Sequence, residues 1–351
     1  MDIGNKIKRL RLNACLTQEQ LANKLGVSTQ SVSKWETGVT MPDITLLPSI
    51  ATEFGVTIDE IFDLTVEQKL YRIEKRLDIE EEFSHNTFSE YEEYLKAQLD
   101  ECKEKEKVLS LLANLYHHRM EADSRKVSKY ARECILLSPE KKDCQWLLQK
   151  AEGASVWDWN MANHSQIIDF YKKVIETDLG SPKTPMPYYE IMDNLIADHR
   201  TEEARKYLNV YKTLPAHKPF LVPIYEAHLA LAEYEVQKAD EIIVNGLKEF
   251  SNESGYLFET AQYYAKRCKY EQAIKYYELS WATDENKKPR YTDALHAISI
   301  IYQILGDYKK ALQTYDKIIK CLIEEWGYGA DDFPVIDAQR QKKKIESKIA
   351  K

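Results

Sequence analysis

Residues 17–37 read TQEQLANKLGVSTQSVSKWET and predict two short helices joined at one glycine. Thr17, with Gln20 three residues later, forms the capping box that opens the first helix. Gly26 stands where a helix end needs a positive φ, and Ser28 is placed to cap the second helix. The stretch therefore predicts a helix-turn-helix with a very short turn.

The second predicted helix has an apolar side and a polar side. Val32 and Trp35 point inward, and the outward stripe consists of Thr29, Gln30, Ser33, Lys34 and Thr37. Base edges in the DNA major groove suit such side chains, because an amide pairs with adenine and an ammonium reaches guanine acceptors. We predict that this helix reads DNA; the alternative is a structural helical bundle with a polar surface.

Helical patterns on both sides extend the motif to five helices. The first helix buries Ile3, Ile7 and Leu10, and its other side carries Lys6, Lys8, Arg9 and Arg11. Pro48 fits only a first helical turn, so a fourth helix starts near Thr45. Thr57 and Glu60 cap a fifth. This unit, over residues 2–63, resembles the xenobiotic-response-element (XRE) family of helix-turn-helix domains, which includes the lambda-type phage repressors.

The XRE resemblance assigns roles to individual residues. In that family the glutamine that opens the second helix contacts phosphate, which implies this role for Gln18. Early residues of the third helix read bases, which implies base contacts for Thr29, Gln30, Ser33 and Lys34. With the neighbouring hydroxyls, the candidate DNA-binding residues are Gln18, Ser28, Thr29, Gln30, Ser33, Lys34 and Thr37.

Charge and composition are consistent with DNA binding by the N-terminal part alone. Residues 1–40 carry six Lys/Arg against three Asp/Glu, whereas residues 41–65 carry five acids and no base. This polarity orients DNA toward the first three helices. The 351-residue chain has a net charge of −8, which argues against a second nucleic-acid surface. With only 11 Gly and 11 Pro, long helices are expected for the remainder.

Motifs for catalysis or metal binding do not occur in the sequence. There is no glycine-rich phosphate loop, nucleophile elbow or His-Glu-x-x-His motif, and adjacent His117 and His118 diverge around a helix. The six cysteines have no paired spacing, and Cys134 and Cys144 are interpreted as packing residues. We expect no catalytic residue, metal or cofactor. No apolar run approaches the ~18 residues of a membrane span, so a cytoplasmic location is expected.

The second half of the chain repeats one eight-residue sequence motif. It reads YEQAIKYY at 270–277 and YKKALQTY at 308–315, with looser copies at 201–208 and 236–243. Their small residues, Ala204, Ala239, Ala273 and Ala311, recur after 35, 34 and 38 residues. Small residues let the two helices of a hairpin approach each other. The pattern resembles the tetratricopeptide (TPR) repeat. Weaker copies over 108–139 and 157–182 would bring the total to about six or seven hairpins.

These patterns predict an all-α chain with three parts. A five-helix lambda-repressor-like DNA-binding domain spans residues 1–65, a helical connector and first hairpin span 66–107, and a TPR-like α-solenoid spans 108–351. The connector places apolar residues with 4-3-4 spacing at Val66, Leu70, Ile73 and Leu77. They form either a short dimerising seam or a face packed on the first repeat. We favour packing, because fewer than three heptads rarely hold a coiled coil together.

The order of the parts resembles the Gram-positive peptide-pheromone receptors of the RNPP group. That resemblance implies a sequence-specific regulator of transcription that binds double-stranded DNA, dimerises through its repeats and holds a short peptide in their concave face. The alternative is a repressor or adaptor controlled by a partner protein docked on the repeats. A groove lined by Asn, Tyr and charged residues would suit a peptide, whereas a broad apolar patch would suit a folded partner.

Counting back from the four alanines to the inward positions of a TPR hairpin gives candidate ligand-binding residues. They are Tyr189, Asp193, His228, Gln262, Lys266 and His296. These residues are polar or aromatic where a packing surface would be aliphatic, although a solvated groove without ligand is the alternative. A repeat offers spaced side-chain pockets but no nest of backbone amides for phosphate, so we expect a peptide rather than a nucleotide or sugar.

Overall fold

The computed structural model describes residues 3–62, 64–101, 105–153, 164–177 and 184–349. Across these ranges the regular structure is helical, without a strand, so the predicted all-α fold is confirmed. None of the helices in these ranges is both long and apolar enough to span a membrane. The chain divides into two compact units, Met1–Lys129 and Tyr130–Lys351, which are described separately.

The first unit opens with five short helices around one core. They are α1 (Ile3–Asn13), α2 (Gln18–Leu25), α3 (Thr29–Glu36), α4 (Leu47–Phe54) and α5 (Ile58–Ile61), with a 3₁₀ turn over Ile44–Leu46 ahead of α4. Ile7, Leu21, Val32 and Ile50 are completely buried in this core. Gly4 is required where α1 crosses α3, because a Cβ there would lie 2.0 Å from the carbonyl oxygen of Trp35.

Three longer helices follow, and the last of them continues past Lys129 into the second unit. They are α6 (Val66–Ile79), α7 (His85–Glu101) and α8 (Lys105–Leu137). Leu70 and Ile73 of α6 are buried in one cluster with residues of α7 and α8, which matches the packing interpretation of the connector. The prediction of a hairpin over residues 108–139 was wrong, because α8 runs through this range as a single helix. Residues 105–138 contain neither Gly nor Pro, so nothing in the sequence breaks the helix before Pro139.

The second unit consists of helices that mostly pair as hairpins. It begins with α9 (Lys142–Ala151) and α10 (Ser165–Thr177). The pairs that follow are α11 (Met186–Ala197) with α12 (Thr201–Tyr211), α13 (Leu221–Ala232) with α14 (Val236–Glu249), α15 (Ser254–Lys266) with α16 (Tyr270–Thr283) and α17 (Asp293–Ile304) with α18 (Tyr308–Glu324), before α19 (Phe333–Ile349). Of the copy predicted over 157–182, residues 157–163 and 178–182 lie outside the described ranges.

The repeated alanines lie near the start of the second helix of each hairpin and are buried. Ala204, Ala239, Ala273 and Ala311 are completely buried, as the repeat pattern predicts. Five residues before each alanine, the turn adopts a left-handed backbone conformation, with φ of 56° at His199, 63° at Tyr234, 56° at Cys268 and 76° at Gly306. Only the last of these positions carries glycine. The four turns therefore share one backbone geometry, which three of them reach with a residue that disfavours it.

Candidate functional sites

The geometry of α2 and α3 follows from the caps that the sequence predicts. The Thr17 hydroxyl accepts from the Gln20 amide at 3.1 Å, and the Gln20 side chain accepts from the Thr17 amide at 2.8 Å. Gly26 is left-handed, with φ of 67°. The Ser28 hydroxyl accepts from the Ser31 amide at 3.1 Å and so opens α3. Since Val32 and Trp35 are buried, the opposite face of α3 is turned outward.

The structure places the candidate DNA-binding residues on or beside this outward face. Thr29, Gln30 and Lys34 are exposed, and Ser33 is half-buried. Neither the Gln30 nor the Lys34 side chain forms a hydrogen bond with the residues that the structure describes, so both side chains can meet a base edge. Two hydroxyls have local partners instead, because Ser28 caps α3 and Thr37 donates to the carbonyl of Ser33 at 2.8 Å.

Gln18 belongs to a buried polar network that sequence patterns did not indicate. Its amide donates to Glu36 Oε2 at 2.9 Å, and the same carboxylate pairs with Arg11 of α1. Arg11 is buried, so its predicted position on the polar side of α1 was wrong. Burial alone would raise the pKa of Glu36, but hydrogen bonds from Arg11 and Gln18 outweigh it and hold that pKa below its usual range. The network joins α1, α2 and the end of α3.

The second unit contains a groove along the first helices of its hairpins. Its cavity of about 600 Å³ is lined from α11, α13, α15 and α17, from the end of α16, and from the segments ahead of α13 and α17. Lining residues begin at the start of each helix and reach the eighth position in α11 and α13, at Asp193 and His228, but only the sixth position in α15, at Glu259, and the second in α17, at Ala294. A superhelical twist between successive hairpins has this effect, because it rotates the inward face from one repeat to the next.

The cavity takes in half of the candidate ligand-binding residues. Tyr189, Asp193 and His228 line it. Gln262 and Lys266 lie further along α15 than the lining residues Phe258 and Glu259, and His296 packs edge-on against Tyr315 of α18. Lys266 nevertheless acts on the cavity through its charge, which offsets part of the rise that burial causes in the pKa of Asp193 and adds to the fall that burial causes in the pKa of His228. The cavity is also lined by residues that the register of the repeated alanines did not predict, which include Tyr225, Phe258, Glu259, Trp281 and Arg290.

Two desolvated carboxyl groups of the cavity interact with Lys266 through its charge but form no ion pair with it. Within the described ranges, neither Asp193 nor Glu259 belongs to an ion pair. The groove walls desolvate Asp193 and, with the charge of Glu190, raise its pKa to about 6 against the effect of a hydrogen bond from Tyr225. Burial and the neighbouring Asp193 raise the pKa of Glu259 as well. Partial burial of two unpaired carboxylates disfavours their charge, and an incoming cation would relieve that cost.

His228 presents a buried polar atom that has no partner. Its Nε2 is shielded from solvent, and no hydrogen bond reaches it from the residues that the structure describes. Burial lowers the pKa of His228 to about 4, so the imidazole is neutral at pH 7. An orphaned buried nitrogen in a cavity wall is costly unless a ligand or an ordered water completes its hydrogen bonding.

The wall of the cavity ahead of α17 contains an arginine whose side chain is largely buried. The Arg290 guanidinium stacks 3.6 Å from the centre of the Trp281 ring and pairs with Glu325 at 2.5 Å. This contact lowers the pKa of Glu325 to about 2, chiefly through hydrogen bonds from Arg290. Because Glu325 neutralises Arg290, this cation adds little positive charge to the cavity. The lining also contains one further cation, Lys218, and two further carboxyl groups, Asp284 and Asp293, so with Asp193 and Glu259 the acidic residues outnumber the basic ones by four to two.

Comparison with known proteins assigns the N-terminal helices to a class. The Helix-turn-helix family matches residues 7–61. The HTH-type transcriptional activator BcrR of Enterococcus faecalis is 46% identical over 61 residues, which are 17% of this chain and 30% of that protein. The uncharacterized HTH-type transcriptional regulator MJ0272 of Methanocaldococcus jannaschii is 48% identical over 58 residues, 16% of this chain and 88% of that protein.

The helices around α2 and α3 thus define a helix-turn-helix DNA-binding protein. The chain belongs to the HTH-type transcriptional regulators, which confirms the class predicted from residues 2–63. The chain spans about 30% of the length of BcrR, so the match concerns the DNA-binding domain alone. Among solved structures, the chain is also similar to Bacillus thuringiensis PlcR in complex with the peptide PapR7 and DNA, at 14% identity and a TM-score of 0.25, over 88% of this chain and 98% of that one.

Proposed function

We propose that this transcriptional regulator is controlled by a short, extended peptide that carries a positive charge and binds in the groove of the second unit. The observation that carries the proposal is the cavity of about 600 Å³, in which Asp193 and Glu259 form no ion pair with the described residues and His228 has an orphaned nitrogen. The regulator itself acts without catalysis, in the cytoplasm, where its DNA is accessible.

The size and lining of the cavity favour a peptide over other ligands. Its volume lies in the range of about 300–1,000 Å³ that is usual for small-ligand sites. Aromatic side chains stand between the polar ones, namely Tyr189, Tyr225, Phe258 and Trp281. Pockets from successive helices suit the alternating side chains of an extended chain. A folded partner would need a broad apolar surface instead, so the lining gives less support to the partner-protein alternative.

The charge of the cavity favours a basic group on the peptide. A lysine side chain or a free amino terminus would bring an ammonium to Asp193 and Glu259, where charge-assisted hydrogen bonds are strong. The neutral imidazole of His228 can then accept a hydrogen bond from the ligand or donate one to it, depending on its tautomer. Because ionised carboxylates bind the cation, the affinity should rise with pH around the Asp193 pKa of about 6.

On the DNA side, we propose that Gln30 and Lys34 read bases, with Thr29 and Ser33 beside them. Gln18, Ser28 and Thr37 position α3, and Gln18 keeps its proposed phosphate contact. One DNA-binding domain of this size buries only about 600–1,000 Å² of surface on DNA, which gives weak specificity by itself. We therefore propose a homodimer on an inverted repeat, joined mainly through the repeat domain. A peptide that prefers one curvature of the repeats would then change how two heads fit their half-sites.

The test measures how operator binding responds to small molecules from the native host. The full chain, bound to a DNA fragment that it selects, is titrated with the low-molecular-mass fraction of a host culture before and after protease digestion of that fraction. The combined variant Asp193→Asn and Glu259→Gln is compared with the exposed control Glu271→Gln. We expect a protease-sensitive response that the control keeps and the groove variant loses.

Two results would contradict the peptide proposal. A response that survives protease digestion would mean that the ligand is not a peptide. A response that is absent from the low-mass fraction, but present in a heat-sensitive protein fraction, would favour the partner-protein alternative.

A further inference from the structure

Cys134 and Cys144 meet across the turn that joins α8 to α9. The thiol of Cys144 donates a hydrogen bond to Sγ of Cys134, with 2.8 Å between the two sulfur atoms. Both cysteines are half-buried, Cys134 in the last turn of α8 and Cys144 in the first turn of α9. We propose that this pair is a redox modification site, at which a hydroperoxide converts the two thiols to an intramolecular disulfide and an external thiol restores them.

The remaining cysteines of the described ranges lack such a contact. Cys15 and Cys268 are exposed and belong to different units, and Cys321 is buried with its thiol directed at the carbonyl of Arg290, 3.5 Å away. A disulfide needs two sulfur atoms within bonding reach on side chains that face each other. Among the described cysteines, the pair at the α8–α9 turn meets this requirement. In a reducing compartment such pairs are usually transient and redox-sensing.

The chemistry of the pair sets the order of the two steps. Cys144 is the donor and Cys134 the acceptor of the hydrogen bond, which raises the pKa of the Cys144 thiol, so we take Cys134 as the first nucleophile. The Cys134 thiolate attacks one oxygen of hydrogen peroxide, which forms an S–O bond, breaks the O–O bond and releases hydroxide. Cys144 then loses its proton and attacks the sulfenic sulfur, which releases the second hydroxide. With two protons taken up, two thiols and one peroxide give one disulfide and two waters.

The disulfide would fix a helix that is otherwise weakly held. None of the residues of α9 is fully buried. An ion pair between Arg132 and Glu152, at 3.0 Å, joins α8 to the end of α9, but both side chains are largely exposed. Exposed ion pairs contribute little to stability. A covalent bond closing the short loop between Cys134 and Cys144 would restrict the motion of α9, so oxidation should slow amide exchange along it.

The experiment uses the full, reduced chain and hydrogen peroxide as the probe. After each addition of peroxide, free thiols are blocked and the protein is digested with trypsin under non-reducing conditions. Cleavage after Arg132, Lys141, Lys142 and Lys150 puts the two cysteines on separate peptides, 133–141 and 143–150. We expect these two peptides to appear joined, with loss of two of the six free thiols, and to separate again on addition of dithiothreitol.

Matched variants and exchange measurements complete the test. Cys134→Ser and Cys144→Ser should each abolish the joined peptide, whereas Cys268→Ser, at an exposed single cysteine, should keep it. In the wild type, amide exchange over α9 should slow on oxidation and recover on reduction. The proposal is overturned if peroxide modifies Cys15 or Cys268 while peptides 133–141 and 143–150 remain separate, or if either of them is joined to a different cysteine.

Discussion

Arg11 of α1 and Glu36, the last residue of α3, form a buried ion pair with two hydrogen bonds. Arg11 Nε donates to Oε1 at 2.6 Å and Nη2 donates to Oε2 at 3.0 Å. Only 10% of the Arg11 side chain and 2% of the Glu36 side chain are exposed. Arg11 Nη1 also donates to the carbonyl of Leu16, just ahead of α2. The pair therefore fixes the end of α3 relative to both preceding helices.

Removal of the Glu36 carboxylate should destabilise this domain strongly. Glu36→Ala leaves the Arg11 charge buried without its partner, which typically costs about 3–5 kcal/mol. Amide exchange in α1 and α3 of the full chain measures the loss. The control is Glu53→Ala, which removes an ion pair to the half-exposed Lys24 and should cost about 0–1 kcal/mol. Equal effects of the two variants would contradict a special role for the Arg11–Glu36 pair.

Glycine should stabilise the hairpin turns that lack it. Tyr234 has a φ of 63°, and its side chain is largely exposed. Left-handed backbone costs a residue with a side chain about 1–2 kcal/mol, so Tyr234→Gly should gain roughly 1 kcal/mol after the entropy of glycine is included. Gly306→Ala at the equivalent turn should lose a similar amount. Thermal unfolding of both variants measures these changes. A loss of stability in Tyr234→Gly would contradict the proposed cost of the left-handed backbone at Tyr234.

The helix-turn-helix was predictable because its determinants are local. Thr17, Gln20, Gly26 and Ser28 act on backbone groups within a few residues, and each performs the role that its position indicates. The buried position of Arg11 was not predictable, because its partner Glu36 lies 25 residues away and both residue types are usually exposed.

Long-range geometry also limited the prediction of the groove. The repeated alanines predict which helices face inward, and Tyr189, Asp193 and His228 follow from that register. The twist between hairpins then displaces the lining toward Phe258 and Glu259 on α15, and no single repeat contains that twist. One feature of the sequence could have indicated the contact of Cys134 with Cys144, because the two cysteines lie about equally far from the turn at Pro139.

The Asp193 carboxylate should lower the stability of the unliganded protein at neutral pH. Its pKa is about 6 in the folded chain, against about 3.9 in an unfolded one. The folded state therefore binds the proton more tightly, and stability falls as pH rises from 4 to 6. Asp193→Asn should be more stable than wild type at pH 8, and this difference should vanish near pH 4. Denaturant titrations at both pH values measure it, and a difference that does not depend on pH would contradict the assigned cause.

The proposed homodimer predicts how the protein assembles on DNA. Sedimentation of the full chain should give a dimer, and one dimer should bind a DNA fragment with two inverted half-sites. Destroying one half-site should reduce the affinity far more than the loss of one independent monomer would, because the two heads bind as a linked pair. A monomer that binds a single half-site as tightly as the complete operator would rule out the dimer.

The most direct test of the central claim, that the outward face of α3 reads DNA, is a binding selection. Random DNA fragments are selected by the wild type, Lys34→Ala, Gln30→Ala and Gln18→Ala, and the bound fragments are sequenced. We expect Lys34→Ala and Gln30→Ala each to lose about 1–3 kcal/mol of binding and to relax the preference at one base pair per half-site. Gln18→Ala should weaken all sequences alike. An unchanged sequence preference in both Lys34→Ala and Gln30→Ala would contradict base reading by the outward face of α3.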